Sequence, residues 1–310
     1  MKTIKQYLLL NAGLACCALG TLLTACSQDD NSTAAQGEAT LQVETATVGT
    51  RVAAFNNQFA NSDVISLSLY DEKTGEQYLS GSNYYTFTYS SGKWTPATQV
   101  KLNKEWATVY AVYPAQYVDL KSGGVKVDIT GTSFWQEYLY AEARVTSEQP
   151  RAYLKFQHAL AAVTLNVKLA TDSTLREGYQ YRLQTIGLTR IAATGIMHMP
   201  SGDITCDSRS WGRSVSTKSY TADSATLLAL PDTMPNSQVE VKVNDKYIYA
   251  NLPENTVWEK GTHYTYDVTV HVTLDDIYLT LSNPKILPRT EDVYPSAIEA
   301  DVVVETTDNQ

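Results

Sequence analysis

Short runs in which apolar and polar side chains alternate recur along almost the whole chain, and this period of two limits its fold more than any other feature. Clear runs cover residues 64–69, 84–89, 106–113, 138–145, 239–243 and 264–272. Alternation sends successive side chains to opposite faces, so each run predicts a strand with one face toward a core. Turn signals such as Ser91-Gly92 and Asn244-Asp245 separate the runs. No long helical period is convincing, although residues 160–169 have room for one helical turn, and we predict an all-β fold.

The length of 310 residues fits two domains, since one domain commonly holds roughly 100–200 residues. Two β-sandwiches in series are the simplest arrangement for such short strands. We predict an N-terminal sandwich over residues 39–150 and a C-terminal sandwich over residues 151–310, with the crossing between about 148 and 173. The net charge of -9 excludes a nucleic-acid partner, because proteins that bind nucleic acid present a basic surface.

Residues 1–25 have the pattern of a secretory signal peptide, with a short positive stretch followed by an apolar stretch too short for a stable membrane span. The segment ends in Leu-Thr-Ala-Cys at residues 23–26, which resembles the bacterial lipobox. We therefore predict that Cys26 is acylated and becomes the first residue of the mature chain. The alternative is an ordinary cleavable signal followed by an incidental cysteine. Residues 26–38 show no periodicity and predict a flexible tether.

Residues that carry chemistry are sparse. The chain has no G-x-S-x-G, H-E-x-x-H or glycine-rich phosphate-binding motif, and its four histidines are scattered. Once Cys26 is acylated, Cys206 is the one cysteine left in the mature chain, and we interpret it as structural. We predict no catalytic residue, no metal site and no cofactor, and therefore no enzyme activity.

Two local patterns have a functional alternative. The Met-His-Met sequence around His198 contains soft ligands for copper, but strand alternation predicts that both methionines face a core and that His198 faces outward. Trp94, Trp135 and Trp211 are residues of the type that stacks on sugars when exposed. We favour core anchoring for each of them.

The C-terminal segment differs from the rest of the chain. Three X-Pro pairs within residues 283–295 predict a linker. Beyond it, alternation over residues 296–306 places one set of apolar side chains opposite a set of acidic ones. The apolar set is Ile298, Ala300, Val302 and Val304, and the acidic set is Glu299, Asp301 and Glu305. This segment predicts one more strand, which need not pair within its own subunit.

Several motifs, in their order and spacing, resemble the fimbrillin (Mfa-like and FimA-like) pilus proteins of Bacteroidetes. They are F-x-x-G-D-x-I at residues 59–65, a Tyr–Gly–Trp hairpin at 89–94, A-x-Y-P at 111–114, F-x-H-x-L at 156–160 and G-x-x-Y-x-Y at 261–266. Ser62 stands where the family usually has glycine. The resemblance covers nearly the whole mature chain.

The resemblance implies two transthyretin-like β-sandwich domains and export as a lipoprotein to the surface of the outer membrane. It also implies a structural fimbrial subunit that polymerises after a trypsin-like protease removes the first strand. The implied partners are other fimbrial subunits of the same or a related type, the outer membrane through the lipid, and a host glycan or protein as receptor.

Arg51 is the candidate for the cut, because it is the only basic residue between Cys26 and Lys73 and follows a predicted Gly-Thr turn. Cleavage would release the first strand, within residues 39–51, and uncover a groove of apolar side chains and unpaired backbone groups. The apolar face of Ile298, Ala300, Val302 and Val304 is the candidate donor that fills this groove in another subunit.

Plainer alternatives remain open for both features. Arg51 would then be an ordinary loop arginine, and the last strand an ordinary edge strand. For function, the alternatives are a fimbrial tip adhesin, which needs no donor strand for a next subunit, and a monomeric surface lipoprotein that binds glycan.

Overall fold

The computed structural model describes residues 38–48, 59–130, 136–171, 173, 181–207, 211–217, 223–233 and 236–289. The regular elements of these residues are strands, which confirms the predicted all-β class. In chain order they are β1 (Ala39–Thr40), β2 (Gln42–Val48), β3 (Val64–Asp71), β4 (Tyr85–Ser90), β5 (Lys93–Pro96), β6 (Lys101–Leu102), β7 (Ala107–Tyr113), β8 (Val125–Asp128), β9 (Leu139–Val145), β10 (Arg151–His158), β11 (Ala161–Leu169), β12 (Leu183–Ala192), β13 (Thr194–Met197), β14 (Ile204–Cys206), β15 (Trp211–Thr217), β16 (Ser224–Ala229), β17 (Asp232–Thr233), β18 (Gln238–Val243), β19 (Lys246–Asn251), β20 (Val257–Trp258), β21 (Thr262–Val272), β22 (Ile277–Leu281) and β23 (Lys285–Pro288). Within these described ranges, no helix is long and apolar enough to cross a membrane.

Seven strands form the first sheet, in the order β2-β10-β9-β7-β3-β4-β5. Neighbouring strands are antiparallel except β2 and β10, which run parallel. The two edge strands, β2 and β5, approach each other, so the sheet curls around its apolar face. Ile65, Leu67 and Leu69 alternate along β3 into this first core, and β6 adds Leu102.

The opposite face of β3 is buried although it is polar. Ser66 Oγ donates to the carbonyl of Gln116 at 2.5 Å and accepts from the Gln116 amide at 2.8 Å. The Val118 amide donates to Ser68 Oγ at 3.3 Å, and the Tyr70 hydroxyl donates to the Val118 carbonyl at 2.7 Å. Alternation thus gives β3 one apolar face for the core and one hydroxyl face that holds the chain segment crossing it.

Two sheets enclose the second core. One has the order β16-β11-β21-β22, with β23 also pairing with β21, and the other has the order β15-β12-β18-β19. Val163, Leu165 and Val268 of the first of these sheets share one apolar cluster with Ile186 and Val241 of the second. With two cores, the predicted architecture of two transthyretin-like β-sandwiches is confirmed.

The chain passes from the first sheet to the sheets of the second core between β10 and β11, at Ala159 and Leu160. This crossing lies within the interval of residues 148–173. β8 follows β7 of the first sheet, yet it pairs with β13 and contributes Val125 and Val127 to the second core. The second core therefore draws residues from both sides of residue 150, and the domain division between residues 150 and 151 stays a prediction.

The predicted hairpin turns are confirmed. Asn244 and Asp245 join β18 to β19 with φ values of 46° and 65°, and Ser91 and Gly92 join β4 to β5 with φ values of 49° and 84°. Positive φ at both central residues is the geometry of a two-residue hairpin. Residues 161–169, where one helical turn had room, form the strand β11. One expectation was wrong: part of the predicted linker forms β23, because prolines are tolerated at the ends of an edge strand.

Candidate functional site

The residues predicted for lipidation, cleavage and strand donation lie outside the described residues. They are Cys26, Arg51, Ile298, Ala300, Val302 and Val304. The structure does describe the strand that precedes Arg51, its seat in the first sheet, and the last residues before the C-terminal segment. These parts define what cleavage would expose.

The first strand is built into the first core. β1 pairs antiparallel with β6, and β2 pairs parallel with β10. Leu41 and Val43 are only 2% and 9% exposed. The Leu41 amide donates to the Val100 carbonyl at 2.9 Å, and the Gln42 amide donates to the Pro150 carbonyl at 2.8 Å. The N-terminal strand is therefore a packed part of the fold.

β10 depends on β2 for most of its ladder. The ladder between β10 and β2 runs from Arg151 to Phe156, whereas the ladder between β10 and β9 consists of Gln157 with Tyr140 and His158 with Leu139. Loss of β2 would leave the backbone groups of β10 without these partners, and unpaired strand edges accept other strands.

The floor of the seat is apolar. Ala152, Leu154 and Phe156 of β10 are at most 1% exposed and belong to the first core, together with Val100 and Leu102 beside β1. An empty seat would expose these side chains to water, at a cost of about 25 cal/mol for each Å² of apolar surface. We define the seat as the groove between β10 and the segment of Val100 and Leu102 that β1 and β2 occupy.

Phe59 is the first residue described after β2, and its ring packs in the first core against aromatic residues of other strands. It is 6% exposed, and its ring lies 4.8 Å from Trp94, 5.4 Å from Phe156, 5.9 Å from Tyr113 and 6.2 Å from Tyr89. Burial and then the charge of Asp63 raise the pKa of the Tyr113 hydroxyl to about 12. Trp94 is thus a packing residue, in agreement with the core anchoring favoured for it. Trp135 and the side chain of Trp211 lie outside the part of the chain that the structure describes.

A tight turn follows Phe59. Ser62 has a φ of 76°, in the left-handed region that favours glycine. The Ser62 amide donates to the Tyr89 carbonyl at 2.9 Å, and Asp63 Oδ2 accepts from the Ala60 amide at 2.7 Å. The backbone geometry explains why glycine suits this position.

A buried ionic cluster lies where the C-terminal segment begins. Arg289, the last described residue, donates from its two terminal nitrogens to the carboxylate of Glu137 at 3.2 and 2.7 Å, and to the Leu160 carbonyl at 3.2 Å. His158 Nδ1 lies 3.2 Å from the same carboxylate. Burial alone would raise the pKa of Glu137, but the charge of Arg289 and then that of His158 lower it to about 2. The root of the C-terminal segment is therefore fixed to the body of the subunit.

The remaining sequence candidates are packing residues. Met197 is fully buried, and half-buried His198 holds the Gly123 carbonyl at 2.8 Å from Nδ1 and the Thr205 hydroxyl at 2.7 Å from Nε2. Burial and then Asp232 raise the pKa of the Cys206 thiol to about 12, so the reactive thiolate is scarce at neutral pH. In the described part of the chain, no group of His, Cys, Asp and Glu residues is placed to hold a metal ion.

Sequence comparison decides the family. A family model described as fimbrillin-like matches residues 50–286. The chain belongs to the fimbrillin-like family. None of the curated proteins matches it in sequence at a significant level.

Solved structures share the fold of this fimbrillin-like chain. A candidate cell adhesion protein from Bacteroides ovatus has a TM-score of 0.58 at 16% identity, over 82% of this chain and 98% of its own. A candidate cell adhesion protein from Bacteroides uniformis has a TM-score of 0.56 at 14% identity, over 80% and 99%. A third, from Bacteroides fragilis, has a TM-score of 0.52 at 15% identity, over 79% and 95%.

The fimbrillin-like motifs prove to be packing motifs. Phe59, Tyr89, Trp94, Tyr113 and Phe156 come from four of the five motifs and meet in the aromatic cluster. The fifth motif supplies Tyr264 and Tyr266, whose hydroxyls accept from the Glu259 amide at 3.0 Å and from Trp258 Nε1 at 3.2 Å. Sequence reasoning found these residues but did not show that they meet.

Proposed function

We propose that this chain is a structural subunit of a cell-surface fimbria that polymerises by strand exchange. The observation that carries the proposal is the seat of the first strand. β2 is an edge strand, it supplies most of the ladder of β10, and its segment inserts Leu41 and Val43 into the first core. Membership of the fimbrillin-like family supports a fimbrial or adhesive role rather than an enzymatic one.

Cleavage near Arg51 would open the seat. Arg51 lies in sequence between the end of β2 at Val48 and the buried Phe59. After a cut there, the first strand is no longer covalently joined to the rest of the subunit. The chain that follows the cut stays anchored in the first core, because Phe59 packs against Phe156. The released strand is then held by its contacts alone and can be replaced.

The C-terminal segment is the proposed replacement. Arg289 is held in the body of the subunit, and 21 residues follow it. An extended chain covers at most about 3.3–3.6 Å per residue, so such a segment could reach about 70 Å, enough for a neighbouring subunit. Burial of Ile298, Val302 and Val304 would contribute about 1.5–3 kcal/mol for each side chain before the cost of ordering the strand.

The lipid at Cys26 would hold the precursor at the outer-membrane surface before cleavage. Each buried methylene of an acyl chain contributes about 0.8 kcal/mol, so more than one acyl chain makes an anchor that is stable until the cut removes it. Labelling with fatty acid tests this step: the native chain should be labelled and the Cys26→Ala chain should not. Label on the Cys26→Ala chain would contradict the lipobox prediction.

Two variants test strand exchange. Arg51→Ala should yield a folded, lipidated monomer with its first strand in place, and deletion of residues 297–310 should yield a cut subunit that accepts a donor but offers none. Gel electrophoresis without heating should show a ladder of polymers for the native chain and none for either variant. Long polymers from the deletion variant would overturn the proposal and favour a tip adhesin or a monomeric glycan-binding lipoprotein.

A further inference from the structure

The seat has an exposed outer side as well as an apolar floor. β10 alternates strictly, so that Ala152, Leu154 and Phe156 are buried while the residues between them are exposed. We call the exposed Arg151, Tyr153 and Lys155 the β10 row, in which the Tyr153 side chain is 62% exposed. Two cations flanking an aromatic ring on one strand stand out on a chain with a net charge of -9.

The chain's own first strand matches the β10 row only in part. Arg151 Nη1 lies 3.4 Å from Glu44 Oε1, so this end of the seat already pairs with a carboxylate. In the register of the ladder, Tyr153 lies beside Thr45 and Lys155 beside Thr47. Among the described residues, Lys155 forms no ion pair.

The C-terminal strand carries the complementary pattern. Residues 301–305 read Asp-Val-Val-Val-Glu, so in the strand predicted from the sequence Asp301, Val303 and Glu305 would share the face opposite Val302 and Val304. The two acids are four residues apart, about 13 Å along a strand, which is also the separation of Arg151 and Lys155. With Val302 and Val304 on the floor, the acids would lie beside the cations and Val303 beside Tyr153. The pattern is symmetric, so it fits a parallel or an antiparallel donor.

We propose, on the basis of the strand exchange proposed above, that the β10 row recognises the acidic face of the C-terminal strand of a second copy of this chain and sets its register. Apolar alternation excludes a slip by one residue, because such a slip turns the apolar face outward. A slip by two residues keeps the apolar side chains of the donor toward the core. The apolar floor of the seat therefore does not distinguish this register from the correct one. The charges disfavour association in that register, because it places an acid beside Tyr153 and leaves one cation without a partner.

The β10 row should act on assembly rate and partner choice rather than on polymer stability. Exposed ion pairs contribute little to stability, whereas complementary charges steer association and raise its rate by about tenfold or more at low salt. The effect should disappear at about 1 M salt, where the Debye length is about 3 Å.

Charge exchange in the full chain tests the inference. The seat variant is Arg151→Glu with Lys155→Glu, and the donor variant is Asp301→Lys with Glu305→Lys. Each variant alone should form polymers about tenfold more slowly than the native chain at low salt. A mixture of the two should copolymerise at close to the native rate, and so should one chain with all four changes. The matched control is Lys126→Glu with Lys168→Glu, two exposed strand positions, and it should assemble normally.

Lys155→Glu alone is the control for misfolding of the seat variant, since it leaves the pair of Arg151 and Glu44 intact. Rescue by Glu305→Lys supports a parallel donor, and rescue by Asp301→Lys supports an antiparallel one. Normal assembly of every seat and donor variant at low salt would overturn the recognition by the β10 row and leave strand exchange standing. Polymers from the chain that lacks residues 297–310 would instead overturn strand exchange itself.

Discussion

Each core contains a parallel strand pair, and the two pairs differ in how many ladders hold one of their strands. β11 pairs with β21 over eight residues without a register shift, and β16 pairs with its other edge. β2 pairs with β10 over six residues, with a register shift between Ala152 and Tyr153, and it is the edge strand of its sheet. We call the pair of β11 and β21 permanent, because β11 cannot leave without breaking ladders on both sides. Under the proposed strand exchange, the pair of β2 and β10 at the sheet edge is the exchangeable one.

The largest expected effect is at the buried ionic cluster of Glu137, His158 and Arg289. Glu137→Ala would leave Arg289 buried without its carboxylate, and removing one partner of a buried pair costs about 3–5 kcal/mol. Both the precursor and the polymer should lose this free energy of unfolding, measured by denaturant titration. An unchanged midpoint would show that the cluster does not hold the root of the C-terminal segment.

The same cluster predicts a pH dependence. The pKa of Glu137 is lowered from 4.5 to about 2 in the folded chain, so its stabilisation is complete above pH 4.5 and is lost as pH falls toward 2. Glu137→Gln should remove this part of the acid dependence, seen as a smaller difference in melting temperature between neutral and acid solution. Glu259→Gln, on the surface, is a control that should retain it.

Truncation within the permanent pair comes next. Leu165 of β11 is fully buried, and Leu165→Ala should cost about 2–5 kcal/mol in the precursor and in the polymer alike. Differential scanning calorimetry of both forms would measure it. A loss confined to one form would break the distinction between the permanent and the exchangeable pair.

Truncation within the exchangeable pair should affect the stability of the precursor but not that of the polymer. Leu41 is 2% exposed, so Leu41→Ala should destabilise the precursor by up to the same amount. The polymer should be unaffected, because under the proposed strand exchange residue 41 would leave with the first strand. A polymer weakened by Leu41→Ala would show that the strand stays in the seat.

The smallest effect is at the turn after Phe59. Ser62 adopts a φ of 76°, so Ser62→Gly should raise the free energy of unfolding by roughly 0.5–1 kcal/mol. Precursor and polymer should gain equally, because Ser62 lies beyond the proposed cut at Arg51. A lower melting temperature for Ser62→Gly would mean that the Ser62 side chain makes a contact whose contribution outweighs the strain of the backbone.

Local features of the fold could be predicted from the sequence, whereas long-range features could not. The alternation of Ile65, Leu67 and Leu69 and the Asn-Asp turn before β19 depend on neighbours in sequence, and both are confirmed. The parallel pairing of β2 with β10 and the contact of Glu137 with Arg289, 152 residues apart, arise only once the sheets have formed. No local pattern signals them. β23 was missed because its prolines resemble a linker, although they flank or end an edge strand.

Hydrogen exchange at β10 tests the central claim most directly. Amide protons that pair with β2 in the precursor should exchange slowly. They should exchange quickly in a cut chain that lacks residues 297–310, once the released first strand has been separated from it. In the polymer of the complete chain they should be slow again, together with the amides of residues 298–304. Slow exchange at β10 in the cut, tail-deleted monomer, or fast exchange of residues 298–304 in the polymer, would contradict the replacement of one strand by the other.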